Sequence, residues 1–318
     1  MPVNREEKYS SFTPHERRQI LRWKRNNNRE PDLVNPETFT EKQIYRWLFY
    51  KDPYYFSYAA KVNVPLFIMS RLSTHPRPRE RPFADVRGHK LTPLKIINRL
   101  GVYQRITPRI LRNLPADSFM IKSSWGSGLN CPVVDRKEAD LKEICHKFNT
   151  RISRMRNTHG HLDHYNCIIV EELIGEPGKL LDDFKFHCIR DKNQNLLMIV
   201  QHIQEMNDGK RFQSAYDVHF KKLDFSVSKM KPYVNPIEKP RLFDSAVDIA
   251  HRLSAGFDYM RLDLYIVDDG VYFGEFTPHH SGGCSTVTSS VEDLRLGQHW
   301  DMRANPFQPD LPVGRLLT

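Results

Sequence analysis

No apolar run in the sequence approaches the ~20 residues a helix needs to cross a bilayer, so no membrane-spanning helix is expected. The opening stretch, MPVNREEKYSSFTPHERRQILRWKRNNN, is charged throughout and shows no apolar signal region. The five cysteines (Cys131, Cys145, Cys167, Cys188 and Cys284) are odd in number, scattered and never spaced CxxC. This argues against a disulfide frame or a zinc ribbon, and for reduced thiols and a cytoplasmic location. No internal repeat is visible. No helix-turn-helix and no RNP-like aromatic pattern stands out, so no nucleic-acid partner is expected.

What is present suits a folded, water-soluble chain. Its 318 residues suffice for two or three packed lobes. A hydrophobic content of 39 % beside 27 % charged residues argues against disorder. The formal net charge of +10 calls for an anionic partner: nucleotide, phosphorylated or carboxylated substrate, polyanion or membrane surface. Charge alone does not choose among them.

Residues 1–72 read as mostly helical. In NPETFTEKQIYRWLFYKD, either Thr38 with Glu41 or Thr40 with Gln43 makes a capping box that opens an amphipathic helix. A second helix runs through YFSYAAKVNVPLFIMSRL, with a break expected at Pro65. STHPRPRERPFADVRGHK (73–90) is Pro-rich and basic, an irregular insertion. From about residue 94, strand-like and helix-like segments alternate. FMIKS (119–123) and NCIIVEELI (166–174) read as strands, and residues 136–156 as a helix capped by Asp135. DFKFHCIRD (183–191) and NLLMIVQHI (195–203) read as paired strands, and PRLFDSAVDIAHRLSAGF (240–257) as an amphipathic helix. The fold class is therefore α+β with antiparallel hairpins.

The hairpin in MRLDLYIVDDGVYFGEFTP (260–278) carries an acid inside each apolar arm. A three-residue loop, Asp268-Asp269-Gly270 with Gly270 left-handed, would pair Val267 with Val271. Counting back, Asp263 then lies opposite Glu275, and Arg261 opposite Thr277. All four share one face, while Leu262, Leu264, Gly274 and Phe276 take the other. Two carboxylates facing across a ladder repel unless something positive lies between them. An oxygen-seeking divalent metal, with Arg261 beside it, answers that need.

Other segments carry weaker chemistry. In FMIKSSWGSG, Lys122 ends a strand and a small-residue loop follows, whose backbone N–H groups can approach phosphate oxygens. The lysine precedes the glycines, so this is neither a Walker A loop nor GxGxxG. VEELIGE (170–176) ends a buried strand in two acids. THGHLDHYN (158–166) places His159, His161 and His164 in one loop, yet no further ligand is fixed by spacing and a polar substrate-side loop is the reading taken. Lys210 and Arg211 in KRFQSAYD, and His279 and His280 in PHHSGG, are candidate substrate contacts.

Taken in order, these pieces resemble the ATP-grasp superfamily, and within it the teichuronopeptide-biosynthesis-like (TupA-like) branch of bacterial polysaccharide loci. The matching segments are ETFTEKQIYRWLFYKDP, LTPLKIINRLGVY, FMIKSSWGSG, IIVEELI, DFKFHCI, SAYDVHF and MRLDLYIVDDGVYFGEFTPHHSGG, from about residue 36 to 283. The resemblance implies an ATP-grasp fold, two β-sheet lobes clasping ATP, preceded by a helical N-terminal region. Its expected divisions are 1–115 (helical, with the insertion at 73–90), 116–173 (small lobe) and 174–318 (large lobe with the Mg²⁺ site and C-terminal tail).

The resemblance also implies roles. Lys122 matches the lysine on the α/β-phosphates, and Lys61 the second nucleotide lysine, although Ala60 stands where the family usually has Asp. Ser124, Gly126, Ser127 and Gly128 match the phosphate flap, and Glu171 with Glu172 and Leu173 the adenine hinge. Asp263 and Glu275 match Mg²⁺ ligands, Thr277 occupies the place of a third that is often Asn, and Arg261 matches the transition-state arginine. ATP and Mg²⁺ are thus the implied cofactors. The implied activity is ATP-dependent ligation of a carboxylate to an amine through an acylphosphate. The implied substrates are a uronic acid or similar carboxylate and an amino acid or amino sugar, in surface-polysaccharide synthesis. A glycosyltransferase, for which no DxD motif is present, a phosphotransferase and a nucleotide-binding protein without chemistry are the alternatives. The insertion, with Arg77, Arg79, Arg81, Arg87 and Lys90, suits a polyanionic glycan or a lipid-linked substrate at a membrane surface.

Overall fold

The computed structural model describes residues 9–50, 52, 55–74, 94–124, 129–158, 166–175, 181–205, 210–233 and 237–302. The chain opens with α1 (Pro14–Asn27) and α2 (Phe39–Phe49), each started by a complete capping box, Thr13 with Glu16 and Thr38 with Glu41. Of the two boxes offered for α2, Thr38–Glu41 forms. Thr40 instead donates to Asp293 Oδ2 at 2.7 Å and ties α2 to α8 (Ser290–His299).

The expected second helix is two: α3 (Tyr55–Ala59) and α4 (Val64–Thr74). The break falls at 60–63, not at Pro65, which sits in the first turn of α4, where its missing N–H costs nothing. Of the insertion at 73–90, only the helical end at residues 73 and 74 is among the described residues.

Among the described residues, the strands form two sheets. The smaller joins β2 (Arg99–Tyr103), β3 (Phe119–Ser123), β4 (Asn130–Val133) and β5 (Ile168–Glu172) in the order β2-β5-β3-β4. Helices α5 (Pro108–Arg112) and α6 (Leu141–Thr158) cover it. Their shared core includes Leu111, Phe119, Ile121, Phe148 and Val170. Helix α6 starts later than expected. Asp140, not Asp135, accepts from the first free N–H groups, those of Lys142 and Glu143 at 3.0 Å, while Asp135 accepts from Lys137 N in the preceding turn.

The larger sheet runs β1 (Leu94–Lys95), β10 (Gly270–Thr277), β9 (Tyr259–Val267), β6 (Asp183–Arg190), β7 (Leu196–Glu205), β8 (Arg211–Tyr216). Its even-numbered residues on β6 and β9 (Phe184, Phe186, Met260, Leu262, Leu264) pack against α7 (Phe243–Leu253) and α4. The odd-numbered residues face the other way. Asp183, Lys185, His187, Arg261 and Asp263 are polar, while Ile189 and Tyr259 at one end join a second core with Phe39 and Trp300. Alternation along two neighbouring strands therefore builds a charged face over a dry core.

The β9–β10 hairpin reaches its expected pairing by another route. Gly270 pairs with Val267, so the loop is the two residues Asp268 and Asp269, and Val271 pairs with Ile266. Gly270 is not left-handed. A Cβ there would lie 2.8 Å from the far end of the Lys95 side chain, which is flexible enough to move aside. The one-residue shift the shorter loop causes is undone by a bulge at Gly274, after which Glu275 faces Asp263 and Thr277 faces Arg261.

Candidate active site

Arg261 is the hub of the polar face. Its Nε donates to Asp263 Oδ1 at 2.6 Å, and its Nη2 donates to Asp263 Oδ2 at 2.8 Å, to Glu275 Oε1 at 2.9 Å and to Thr277 Oγ1 at 2.9 Å. One planar guanidinium thus gathers the residues that the hairpin register brings opposite each other. Burial alone would raise the Asp263 carboxyl, but Arg261 and then Lys185 outweigh it and hold Asp263 well below the usual carboxylate range. Arg261 in turn is held above its ordinary value despite burial, chiefly by Asp263.

Lysines enter from three other segments. Lys61, in the turn between α3 and α4, places Nζ 3.5 Å from Glu275 Oε2. The backbone N–H groups of Lys61 and Val62 donate to Ser124 O and Ser124 Oγ at 3.1 and 3.3 Å. Ser124 is therefore a buried joint between that turn and the end of β3, not an open hydroxyl. Lys122 Nζ lies 2.8 Å from Glu171 Oε2, and Arg99 approaches the other oxygen at 3.9 Å. Arg99 also donates to the carbonyls of Lys61 and Val62. Lys185 Nζ lies 2.5 Å from both Asp183 Oδ2 and Asp263 Oδ2.

The end of β5 and the residues after it border a cavity of about 600 Å³. Glu172, Leu173 and Gly175 line one wall, and Lys95, Asp269 and Tyr272 of the larger sheet the other. Glu172 is fixed by Asn98, which donates from Nδ2 to Oε1 at 2.8 Å and accepts from Glu172 N at 2.9 Å.

Beyond Thr277 the chain makes a 3-10 turn, His280–Gly283. His280 is buried, with its ring 4.7 Å from that of His187. His187 accepts from or donates to Tyr259 at 3.0 Å and Gln201 at 2.9 Å, and Gln201 donates to Gln213 at 2.7 Å. Burial, then the nearby Arg261, pushes His187 down to about 3, and His280 is held low by burial and by His187. His279 packs against Tyr55 with ring centroids 5.9 Å apart.

Arg261, Asp263, Glu275, Thr277 and Lys61 thus come together, Lys122 and Glu171 pair on the facing sheet, and His280 lies past the strand end. Lys210 and Arg211 stand apart, exposed at the edge strand β8, with β7 and β6 between them and β9. Gly126, Ser127 and Gly128, the three histidines at 159, 161 and 164, and Arg77, Arg79, Arg81, Arg87 and Lys90 lie outside the described residues. Asp183, Lys185, His187 and Arg99 received no role from the sequence. For the first three the signal was present: DFKFHCI alternates polar and apolar residues just as the hairpin does. Arg99 had none beyond its charge.

The donor set is suited to a hard divalent cation: two carboxylates opposed across a ladder and a hydroxyl, Asp263, Glu275 and Thr277. Among the described residues, no group of three or more His, Cys, Asp or Glu side chains is gathered as a metal cluster, so any such site draws on fewer acids. No helix among the described residues is long and apolar enough to cross a membrane.

The order of these parts along the chain matches the sequence profile of TupA-like ATP-grasp proteins over residues 90–301, two thirds of the chain. The chain belongs to the TupA-like ATP-grasp family. Its two-sheet α+β architecture is the ATP-grasp fold. No curated protein matches the sequence. Among solved structures, this TupA-like chain is similar to the ATP-grasp ligase PsnB complexed with minimal precursor (12 % identity, TM-score 0.36), covering 72 % of this chain and 54 % of that one. It is also similar to D-alanine–D-alanine ligase from Helicobacter pylori (13 %, TM-score 0.39; 77 % and 61 %). A third is biotin carboxylase from Campylobacter jejuni (10 %, TM-score 0.40; 78 % and 48 %). The chain spans about half the length of these structures, from 48 % to 61 %.

Proposed function

We propose that this protein is an ATP-dependent carboxylate–amine ligase. The observation that carries the reading is the convergence of Arg261, Asp263, Glu275 and Lys61 on one polar sheet face, opposite the Lys122–Glu171 pair and beside the hinge-lined cavity. Phosphoryl transfer asks a protein chiefly for positioning and charge neutralisation, and this arrangement supplies both.

Lys122 and Lys61 bind phosphate oxygens from two sides, and Glu172 and Leu173 take the base in the cavity they line. Asp263 and Glu275, with the Thr277 hydroxyl, hold Mg²⁺, which spreads the phosphate charge when bound. Arg261 stabilises the transferring group. The γ-phosphoryl passes to a carboxylate oxygen, leaving ADP and an acylphosphate. An amine then forms the C–N bond as the C–O bond to phosphate breaks, the amine loses a proton, and inorganic phosphate leaves. The acid is a uronic acid or a similar sugar carboxylate, and the amine an amino acid or amino sugar, in surface-polysaccharide synthesis. The basic insertion at 73–90 grips the anionic acceptor. Helices α1 to α4 serve as the helical region, the smaller sheet with α5 and α6 as the small lobe and the larger sheet as the large lobe. The boundary expected at 115/116 falls too late, because β1 already pairs with β10 and β2 with β5, and Leu111 of α5 lies in the smaller sheet's core.

Hydroxylamine can stand in for the amine, because it converts an acylphosphate to a hydroxamate. With ATP, Mg²⁺ and glucuronate or galacturonate, hydroxamate and ADP should form together, and neither without the acid. ADP release that is indifferent to every carboxylate and amine offered would overturn the ligase reading.

A further inference from the structure

Strand β6 sends Asp183, Lys185 and His187 to the same face as Arg261 and Asp263, with Lys185 opposite Asp263 in the ladder. The Lys185 ammonium sits between two carboxylates, 2.5 Å from Asp183 Oδ2 and 2.5 Å from Asp263 Oδ2. Asp263 Oδ2 therefore already accepts from two cations, Lys185 and Arg261. The two cations differ in kind. The guanidinium is locked by four hydrogen bonds to Asp263, Glu275 and Thr277. Lys185 is a compact charge on a flexible stem, and it can leave one carboxylate while keeping the other. Asp183 suits that second role: it is half-buried, and its Oδ1, itself shielded from solvent, has no hydrogen-bond partner among the described residues, so it can take more of the ammonium.

We propose that Lys185 is a built-in competitor for the divalent cation. It holds Asp263 against a free metal ion and withdraws onto Asp183 only when the metal arrives with a nucleoside triphosphate, whose anionic oxygens add attraction that a free ion lacks. The site thus loads metal as the nucleotide complex. This rests on the reading of Asp263 and Glu275 as the metal-binding face and adds to it the order of loading.

Manganese is the probe, since its electron paramagnetic resonance signal falls on binding, and adenylyl imidodiphosphate stands in for ATP. The parent chain should bind Mn²⁺ alone at least tenfold more weakly than in the presence of the analogue. Lys185→Met should bind Mn²⁺ alone at least tenfold more tightly than the parent. Lys185→Gln should do the same, and it keeps a neutral donor between the acids should Lys185→Met fold poorly. Asp183→Asn moves the balance the other way: with its withdrawal partner gone, Lys185 stays on Asp263, and Mn²⁺ binding in the presence of the analogue should weaken several-fold. Equal parent affinity for Mn²⁺ with and without the analogue overturns the inference. So does parent-like Mn²⁺ affinity in a folded Lys185 variant. If calorimetry finds no binding of the analogue to the parent at all, the nucleotide-site reading itself fails.

Discussion

Lys61 and Glu275 meet at 3.5 Å between a helix–helix turn and the hairpin strand β10. The same turn is hydrogen-bonded to Ser124 at the end of β3 and capped by Arg99 of β2. One turn therefore touches both sheets and puts a cation between them. Lys61→Met should weaken ATP binding about tenfold, the ~1.4 kcal/mol of one charge-assisted contact, and leave adenosine binding unchanged. The pair is partly solvated, so melting should shift little. Calorimetry with both ligands decides; equal weakening of the two would assign Lys61 a structural role only.

Asp263 and Glu275 share a face but not an environment. The Asp263 side chain is 5 % exposed and that of Glu275 is 32 % exposed. Asp263→Asn leaves Arg261 and Lys185 without their main counter-charge, a change that typically costs about 3–5 kcal/mol in a buried pair. Glu275→Gln removes a more solvated charge and should cost less than about 1 kcal/mol. Both should lower turnover by at least about a hundredfold, as loss of a group that stabilises developing charge does. Urea unfolding beside kinetics separates them: Glu275→Gln is expected stable and slow, Asp263→Asn both unstable and slow.

Lys122 and Glu171 form a 2.8 Å pair on the smaller sheet, each side chain about one-tenth exposed. On the proposed reading, in which the Lys122 charge meets phosphate, Lys122→Ala should weaken ATP more than adenosine. Glu171→Gln should weaken both by freeing the hinge-side lysine to shift. Identical profiles for the two variants would argue against separate phosphate and base sides.

The polar face was legible in the sequence because strand periodicity survives any local detail: Arg261, Asp263, Glu275 and Thr277 alternate with apolar residues whatever the turn does. The turn itself was not. Asp268 and Asp269 suffice to close it, held by Asp269, which accepts from Lys95 and Tyr272 at 2.7 Å. Nothing local reveals that Lys95, from a distant strand, reaches the turn. The expected register was right because Gly274 bulges and restores it. Lys185 went unassigned because its partners, Asp183 two residues away and Asp263 far along the chain, meet only once β6 pairs with β9.

That bulge can be tested. A Cβ at Gly274 would lie 2.9 Å from Asp263 O, backbone that cannot move without moving the carboxylate. Gly274→Ala should destabilise the fold by about 1–3 kcal/mol, the usual range for overpacking. It should also weaken Mg·ATP binding more than adenosine binding, since Glu275 loses its place opposite Asp263. A variant with parent-like melting and binding would show that the register tolerates the extra methyl.

Stability should fall with acid in a window set by the buried histidines. The chain of bonds from Tyr259 through His187, Gln201 and Gln213 to Ser226 runs in one direction: Tyr259 O–H donates to Nδ1, and Nε2–H donates to Gln201 Oε1. His187 is neutral in this chain, with burial and then Arg261 holding it at about 3 against an ordinary value near 6.5. Between these values the unfolded chain binds a proton that the folded chain refuses, so stability drops as pH falls from ~6.5 toward 3, by ~1.4 kcal/mol per pH unit for each such group. His280, against His187, and His251, on α7, are lowered in the same direction. Asp263, which is depressed, adds a loss only below the carboxylate range. Asp183, Asp258 and Asp293, which burial raises, bind protons in the folded chain and act the other way toward the carboxylate range. The window in which stability should fall as pH falls is therefore pH 8 to 5.5, followed by urea unfolding. His187→Gln should lower the slope of stability against pH by about one proton below pH 6.5, while losing about 1–2 kcal/mol at pH 8 from the broken hydrogen bonds. A variant whose slope matches the parent's would mean that His187 is already charged in the folded protein, and that the direction of the bond chain is other than drawn.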